Sequence, residues 1–135
     1  MSSGARLLQG SCLCGDCTYA VEDAFSYAFI CHCSQCRRAT GAASKPFAGI
    51  AAEALHLHAP ERLLRYGDGD NHDGHCARCG SLMFSLVREG RYVHVTLGTL
   101  LDSPTIRPSA HIFAGSKADW DTICDGLPAF DAFPS

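Results

Sequence analysis

Short alternating stretches dominate the chain. Leu7 to Ser11 and Cys17 to Glu22 read as two strands. In the second, Cys17, Tyr19 and Val21 alternate with Thr18, Ala20 and Glu22, so the first set faces inward. Ala28 to Cys31, Phe47 to Ala51, Leu63 to Tyr66, Leu82 to Val87 and Ala110 to Ala114 are further stretches of strand length. Leu55 and Leu57 alternate with His56 and His58, which puts those histidines on the wet face of a strand. Val93, Val95 and Leu97 alternate with Tyr92, His94 and Thr96, the pattern of a half-buried strand. Residues 67–75 are polar and read as a solvated hairpin tip; they lack the spacing and closing Glu of a calcium loop. Two short helices complete the prediction. Ser34 can cap Gln35 to Thr40, with Gly41 just past the end. Ser116 can cap a helix through Ile123, with Asp119 in a capping-box-like position and Gly126 beyond. Long helices do not alternate with the strands, so the expectation is a mainly β fold in one domain spanning residues 1–135.

Composition narrows the function classes. The chain has 135 residues, with 11 Lys and Arg against 14 Asp and Glu, a formal net charge of −3. That balance argues against a nucleic-acid binder and against a polybasic membrane clamp. No stretch approaches the roughly 18 apolar residues of a spanning helix, and Met1 to Leu8 lacks a signal-peptide core. The expectation is a soluble, cytoplasmic protein in a reducing compartment. There, clustered cysteines read as metal ligands or catalytic groups before disulfides.

Eight of the nine cysteines fall in three tight groups. Cys12, Cys14 and Cys17 share the spacing C-x-C-x-x-C with Cys31, Cys33 and Cys36, 19 residues on. Cys76 and Cys79 form a C-x-x-C followed by Gly80, and Cys124 stands alone. Zinc takes four soft ligands at tetrahedral corners, and two cysteines separated by two residues reach one ion across a tight turn. A glycine after the second lets the chain fold back and aim N–H groups at the sulfurs. A redox dithiol at Cys76 and Cys79, or merely buried thiols, are the other readings. Three such groups in one short chain favour metal. Eight thiolates can form two closed sites, or one four-ligand and one three-ligand site, and spacing alone does not decide between them. Alternation makes Cys17 the first core residue of its strand, which leaves Cys12 and Cys14 as a ligand pair. Cys36 falls in the first turn of a helix, where the dipole favours a thiolate.

Gly10-Ser11-Cys12-Leu13-Cys14-Gly15, then Cys31-His32-Cys33-Ser34-Gln35-Cys36-Arg37, Gly41 and Cys76-x-x-Cys79-Gly80 resemble the glutathione-dependent formaldehyde-activating enzyme family. Ala110-His111-Ile112-Phe113, Ser116-Lys117, Trp120 and Gly126-Leu127-Pro128 resemble that family's C-terminal signature. The likeness covers about residues 8–130. It implies a β-tent fold with two zinc ions. Cys12, Cys14, Cys76 and Cys79 would hold a structural zinc. Cys31, Cys33 and Cys36 would hold a catalytic one with an open position. Two departures stand out: Cys17, commonly aliphatic in the family, and His75, commonly aromatic. Both are read as packing residues, because each implied site already has its ligands.

The activity implied is a carbon–sulfur lyase or adduct-forming reaction, with glutathione adding to formaldehyde or a similar thiol to an aldehyde. A metal-bound thiol becomes the nucleophile, and holding both reactants removes association entropy. Three thiolates and a zinc sum to −1, so thiol delivery suits this site better than carbonyl polarisation. His111 is the candidate proton shuttle. Lys117, Arg37 and Arg38 are candidates for glutathione carboxylates, and Phe47 and Trp120 for pocket walls. Two alternatives remain: a non-catalytic zinc module for binding another protein, and a methionine-sulfoxide reductase of related fold using Cys17 or Cys124.

Overall fold

The structure is a computed structural model that describes residues 6–134. The reading of Met1 to Ala5 as lacking a signal core therefore lies outside the described residues. Two sheets carry the fold. The smaller joins β1 (Leu7–Ser11), β2 (Thr18–Glu22) and β5 (Leu55–Leu57) in the order β1-β2-β5. The larger contains β3 (Tyr27–Cys31), β4 (Lys45–Ala51), β6 (Leu63–Asp68), β7 (Asn71–Cys76), β8 (Leu82–Val87), β9 (Tyr92–Thr96) and β10 (His111–Ile112). Its order is β10-β3-β4-β9-β8-β7-β6, antiparallel except for the parallel β10–β3 pair.

Alternation explains why these segments pair as they do. Leu8 and Gly10 of β1 are buried while Leu7 and Gln9 are exposed. Tyr19 of β2 lies across from Gly10, and a Cβ at position 10 would stand 2.0 Å from the Tyr19 ring. Only glycine admits that ring, which is 1% exposed. Tyr19, Leu8, Val21, Met83, Val93 and Val95 form the main core between the sheets, joined by Cys12, Cys17 and Cys76. Each such side chain contributes about 1.5–3 kcal/mol by leaving water.

The larger sheet has a second face. Paired residues across a ladder share a face, so register defines its membership. Cys31 opposes Lys45, Phe29 opposes Phe47, Phe47 opposes Thr96, and Gly49 opposes His94. His94 opposes Ser85, and Ser85 opposes Asp73. This face therefore carries cysteine, lysine, serine, aspartate and histidine among aromatic rings. A smaller core of Cys31, Phe47 and Ile112 lies on it.

Helix α1 (Ser34–Thr40) follows β3. Its cap is Cys33, whose sulfur accepts the Cys36 N–H at 3.3 Å; Ser34 lies one position inside the helix instead of capping it. Gly41 closes α1 in the left-handed region, as its place in the sequence predicts.

Three expectations are corrected. The helix from Ser116 to Ile123 does not form: Ala114–Ser116 make a single 3-10 turn, and Lys117 leaves helical geometry at ψ 142°. Its capping signals lacked an apolar stripe, since Ala118 is buried but Trp120 is 74% exposed, and so short a helix needs packing to survive. The Ala110 to Ala114 strand shrinks to His111 and Ile112, because Phe113 takes a left-handed φ of 54°. Residues 67–75 are mostly paired strand, with β6 and β7 in register from Asp68↔Asn71 to Leu63↔Cys76 and only Gly69 and Asp70 at the tip. Backbone pairing at a sheet edge needs no apolar pattern. Among the described residues no helix is long and apolar enough to cross a membrane.

Candidate functional site

The turn from β1 to β2 brings Cys12 and Cys14 against Cys76, the last residue of β7, and Cys79 in the turn before β8. All four sulfurs lie within 4.8 Å of one another. Cys14 Sγ stands 3.7 Å from Cys12 Sγ and 3.8 Å from Cys76 Sγ. Gly15 and Gly80 both take a φ of 83°, which turns each knuckle back over its sulfurs. The N–H of Cys17 then reaches Cys12 Sγ at 3.2 Å, and those of Arg78 and Cys79 reach Cys76 Sγ at 3.4 Å. Cys79 is pulled down to about 5, first by the hydrogen bond with the Ser81 hydroxyl. Cys17 lies outside this cluster. Burial pushes it up to about 12, and it donates to the Arg62 carbonyl oxygen.

The second cluster is local. Cys31 ends β3, Cys33 caps α1 and Cys36 lies in its first turn; their sulfurs also lie within 4.8 Å of one another. Cys36 donates to Cys31, which pulls Cys31 down to about 6 and pushes Cys36 up as the holder of the shared proton. Lys45, the cross-strand partner of Cys31, is 5% exposed and favours the thiolate form of both. Its ammonium donates to Ser85 Oγ at 2.8 Å, and that hydroxyl donates to Asp73 Oδ1 at 2.6 Å.

Three adjoining cavities lie along this face. The middle one, of about 210 Å³, is lined by Cys36, Lys45, Asp73, Ser85, Val87 and His94. On one side, sharing Gln35, Ala39 and Asp73, lies a polar cavity of about 380 Å³ walled also by Arg38, Tyr66 and His75. On the other, sharing Val87 and His94, lies an aromatic cavity of about 390 Å³ that includes Tyr27, Phe29 and Phe47. His94 Nε2 is hydrogen-bonded to the Tyr27 hydroxyl, 2.8 Å away, and the ring stacks on Phe47 at 4.2 Å. Burial, then Lys45 and Arg88, hold it down at about 4, so it is neutral at pH 7.

The other sequence candidates fall elsewhere. His111 is buried beneath the cluster. Its Nε2–H donates to Asp125 at 2.9 Å, and its Nδ1 meets His32 Nε2 at 2.8 Å. Arg37 donates to the His32 carbonyl oxygen, and Lys117 to those of Ala118 and Asp121. Trp120 is on the surface, whereas Phe47 is in the wall of the aromatic cavity. Lys45, Ser85, Asp73 and His32 were not singled out from the sequence. The available signal for Lys45 was a charged residue heading an otherwise apolar strand.

Fold and site together define a mainly β protein with one four-cysteine and one three-cysteine cluster able to hold metal ions. Comparison with known proteins places it. Residues 7–116 match the model of the family described as glutathione-dependent formaldehyde-activating enzyme. A Halomonas elongata protein, provisionally named as such an enzyme, is 31% identical over 128 residues, covering 87% of this chain and 81% of that protein. The crystal structure of a Rhodobacter sphaeroides protein shares the fold at a TM-score of 0.59 and 23% identity, covering 90% of this chain and 98% of the other. The chain belongs to the glutathione-dependent formaldehyde-activating enzyme family.

Proposed function

We propose that this chain forms and breaks a carbon–sulfur bond between a glutathione-like thiol and an aldehyde, with zinc in both cysteine clusters. The donor sets fit that metal. Tetrahedral zinc with bonds of about 2.3 Å to sulfur requires neighbouring sulfurs about 3.8 Å apart. The measured separations in the four-cysteine cluster are 3.7 and 3.8 Å. That cluster is complete and serves structure. Cys31, Cys33 and Cys36 supply three ligands and leave one position for substrate. Zinc bound there supplies the means to ionise a thiol near neutral pH.

The observation that carries the reading is the cavity lined by both Cys36 of the cluster and the buried Lys45. The thiol gives up its proton and its sulfur attacks the carbonyl carbon. As the carbon–sulfur bond forms, the π pair moves onto oxygen, which takes up one proton. Lys45 stands where it can hold that oxygen with a charge-assisted hydrogen bond. The polar cavity suits the thiol's peptide body, with Arg38 for a carboxylate. Arg37, Lys117, Trp120 and His111 line none of the three cavities, and the proposed step gives them no direct contact with substrate. A cavity that reaches the sulfur of Cys36 supports an enzyme over a closed protein-binding module.

The test is zinc content and turnover together. Two zinc ions per chain are expected, with adduct formation or breakdown faster than the spontaneous reaction. One zinc, or no acceleration with any thiol and aldehyde pair, would overturn the reading.

A further inference from the structure

Resting on that reading, we infer that the aldehyde partner carries an aromatic ring, bound in the cavity beside Cys36 between Tyr27, Phe29, Phe47 and Phe133. The cavity holds about 390 Å³. An apolar cavity of about 150 Å³ already takes benzene, so this one admits a ring with a short linker. A one-carbon aldehyde would touch almost none of it. The peptide groups of glutathione would lose their hydrogen bonds against these rings, which is costly.

Position makes the cavity part of the site. It shares Val87 and His94 with the chamber that contains Cys36 and Lys45. A ring seated here extends its carbonyl past His94 toward Lys45, while the thiol arrives from the polar side. The rings already pack edge-on and stacked: Tyr27 on Phe29 at 5.7 Å, and Phe47 edge-on to Phe29 at 6.2 Å. Offset and edge contacts are the geometry a further ring would join. Arg88 adds a cation to the wall, its guanidinium 4.8 Å from the centre of the Tyr92 ring. It is placed there by the turn from β8 to β9, in which Arg88 and Glu89 hold the left-handed φ values, 54° and 59°, of a tight hairpin.

The experiment uses the zinc-loaded full chain and separates binding from turnover. Benzyl alcohol, which bears the ring but cannot react, is titrated while NMR signals of the aromatic residues are followed. We expect shifts centred on Tyr27, Phe29 and His94, and at least tenfold weaker binding in Phe29→Trp, which fills the space. Phe133→Ala, altered at a residue 69% exposed, provides a second variant that the fold tolerates and should weaken binding severalfold. With glutathione, phenylacetaldehyde should exceed formaldehyde at least tenfold in kcat/KM, and Phe29→Trp should abolish that preference. No binding of the alcohol, or shifts elsewhere, overturns the inference. So does turnover that favours formaldehyde, although that result upholds the thiol–aldehyde reading. Ring binding at these residues without turnover of any aldehyde overturns the enzyme reading but leaves the ring site in place.

Discussion

The two cysteine clusters use the same chemistry over very different spans of chain. Cys14 and Cys76 are 62 residues apart and their sulfurs are 3.8 Å apart. Cys31 and Cys36 are five residues apart, on one strand end and the helix after it. The first cluster is set in the main core, with Cys12 and Cys76 counted among its buried residues. The second sits on the outer face of the large sheet beside cavities. A metal that joins distant segments removes much of the freedom of the unfolded chain. One that joins neighbours removes little and is free to serve chemistry. Span and surroundings thus support the proposed division of roles, which ligand type alone does not.

The sharpest way to break this contrast is to remove one ligand from each. Structural zinc contributes about 10–16 kcal/mol in apparent binding energy, at or above the whole stability of a typical domain. Cys79→Ser is therefore expected to lose cooperative folding, measured by near-ultraviolet circular dichroism and calorimetry. Cys36→Ser should keep a cooperative transition, lose one zinc and lose turnover. Equal damage in both would mean that span does not separate the roles.

How much of this was legible before the structure depended on range. Strands β1 and β9 show period-two burial, whereas β2, paired on both sides, buries Ala20 along with Tyr19 and Val21; their segments were readable from leucines, valines and Tyr19 alone. The knuckles were legible because C-x-x-C followed by glycine is a local geometry. The chamber was not. Lysine at a strand start is usually solvated, and only the register of five strands brings Lys45 to Cys31, Ser85 to His94 and Asp73 to Ser85. The half-polar face of β9 looked like the wet side of a strand, whereas His94 on it is a wall of the site. The helix after Ser116 shows the converse error: good caps around a segment with no apolar stripe, only Ala118 being buried.

A smaller effect sharpens the anchoring of the outer cluster. With no long-range ligand, the loop of Cys31 and Cys33 is fastened through His32. The Asp125 carboxylate accepts from His111 Nε2–H, and His111 Nδ1 meets His32 Nε2 at 2.8 Å. His32 is 1% exposed and its Nδ1 has no hydrogen-bond partner, so Nε2 carries its polar contact. His111→Ala leaves that group unpaired beside a void and should cost about 3–5 kcal/mol. Asp125→Asn, altered at the exposed end of the string, should cost much less. Urea denaturation measures both. Equal costs, or none, would mean that the string does not hold the loop.

The last difference between the regions is their response to acid. The main core buries apolar residues and its cysteines, whereas the outer face buries His94 against Phe47. His94 is held at about 4, below its ordinary 6.5, first by burial and then by Lys45 and Arg88. A depressed histidine favours the neutral form in the folded state. Its contribution is complete above pH 6.5. It declines as pH falls from 6.5 toward 4, where the unfolded chain binds the proton and the folded chain does not. The loss over that interval is at most about 3 kcal/mol. His94→Gln keeps a polar side chain of similar reach but does not titrate, so it should lose less stability between pH 7 and pH 4.5 than the unaltered protein. Thiolates protonate in both proteins over this range, and comparing the two isolates the histidine. Parallel curves of stability against pH would show that His94 is already relieved of its burial cost, and that the outer face is no more acid-sensitive than the core.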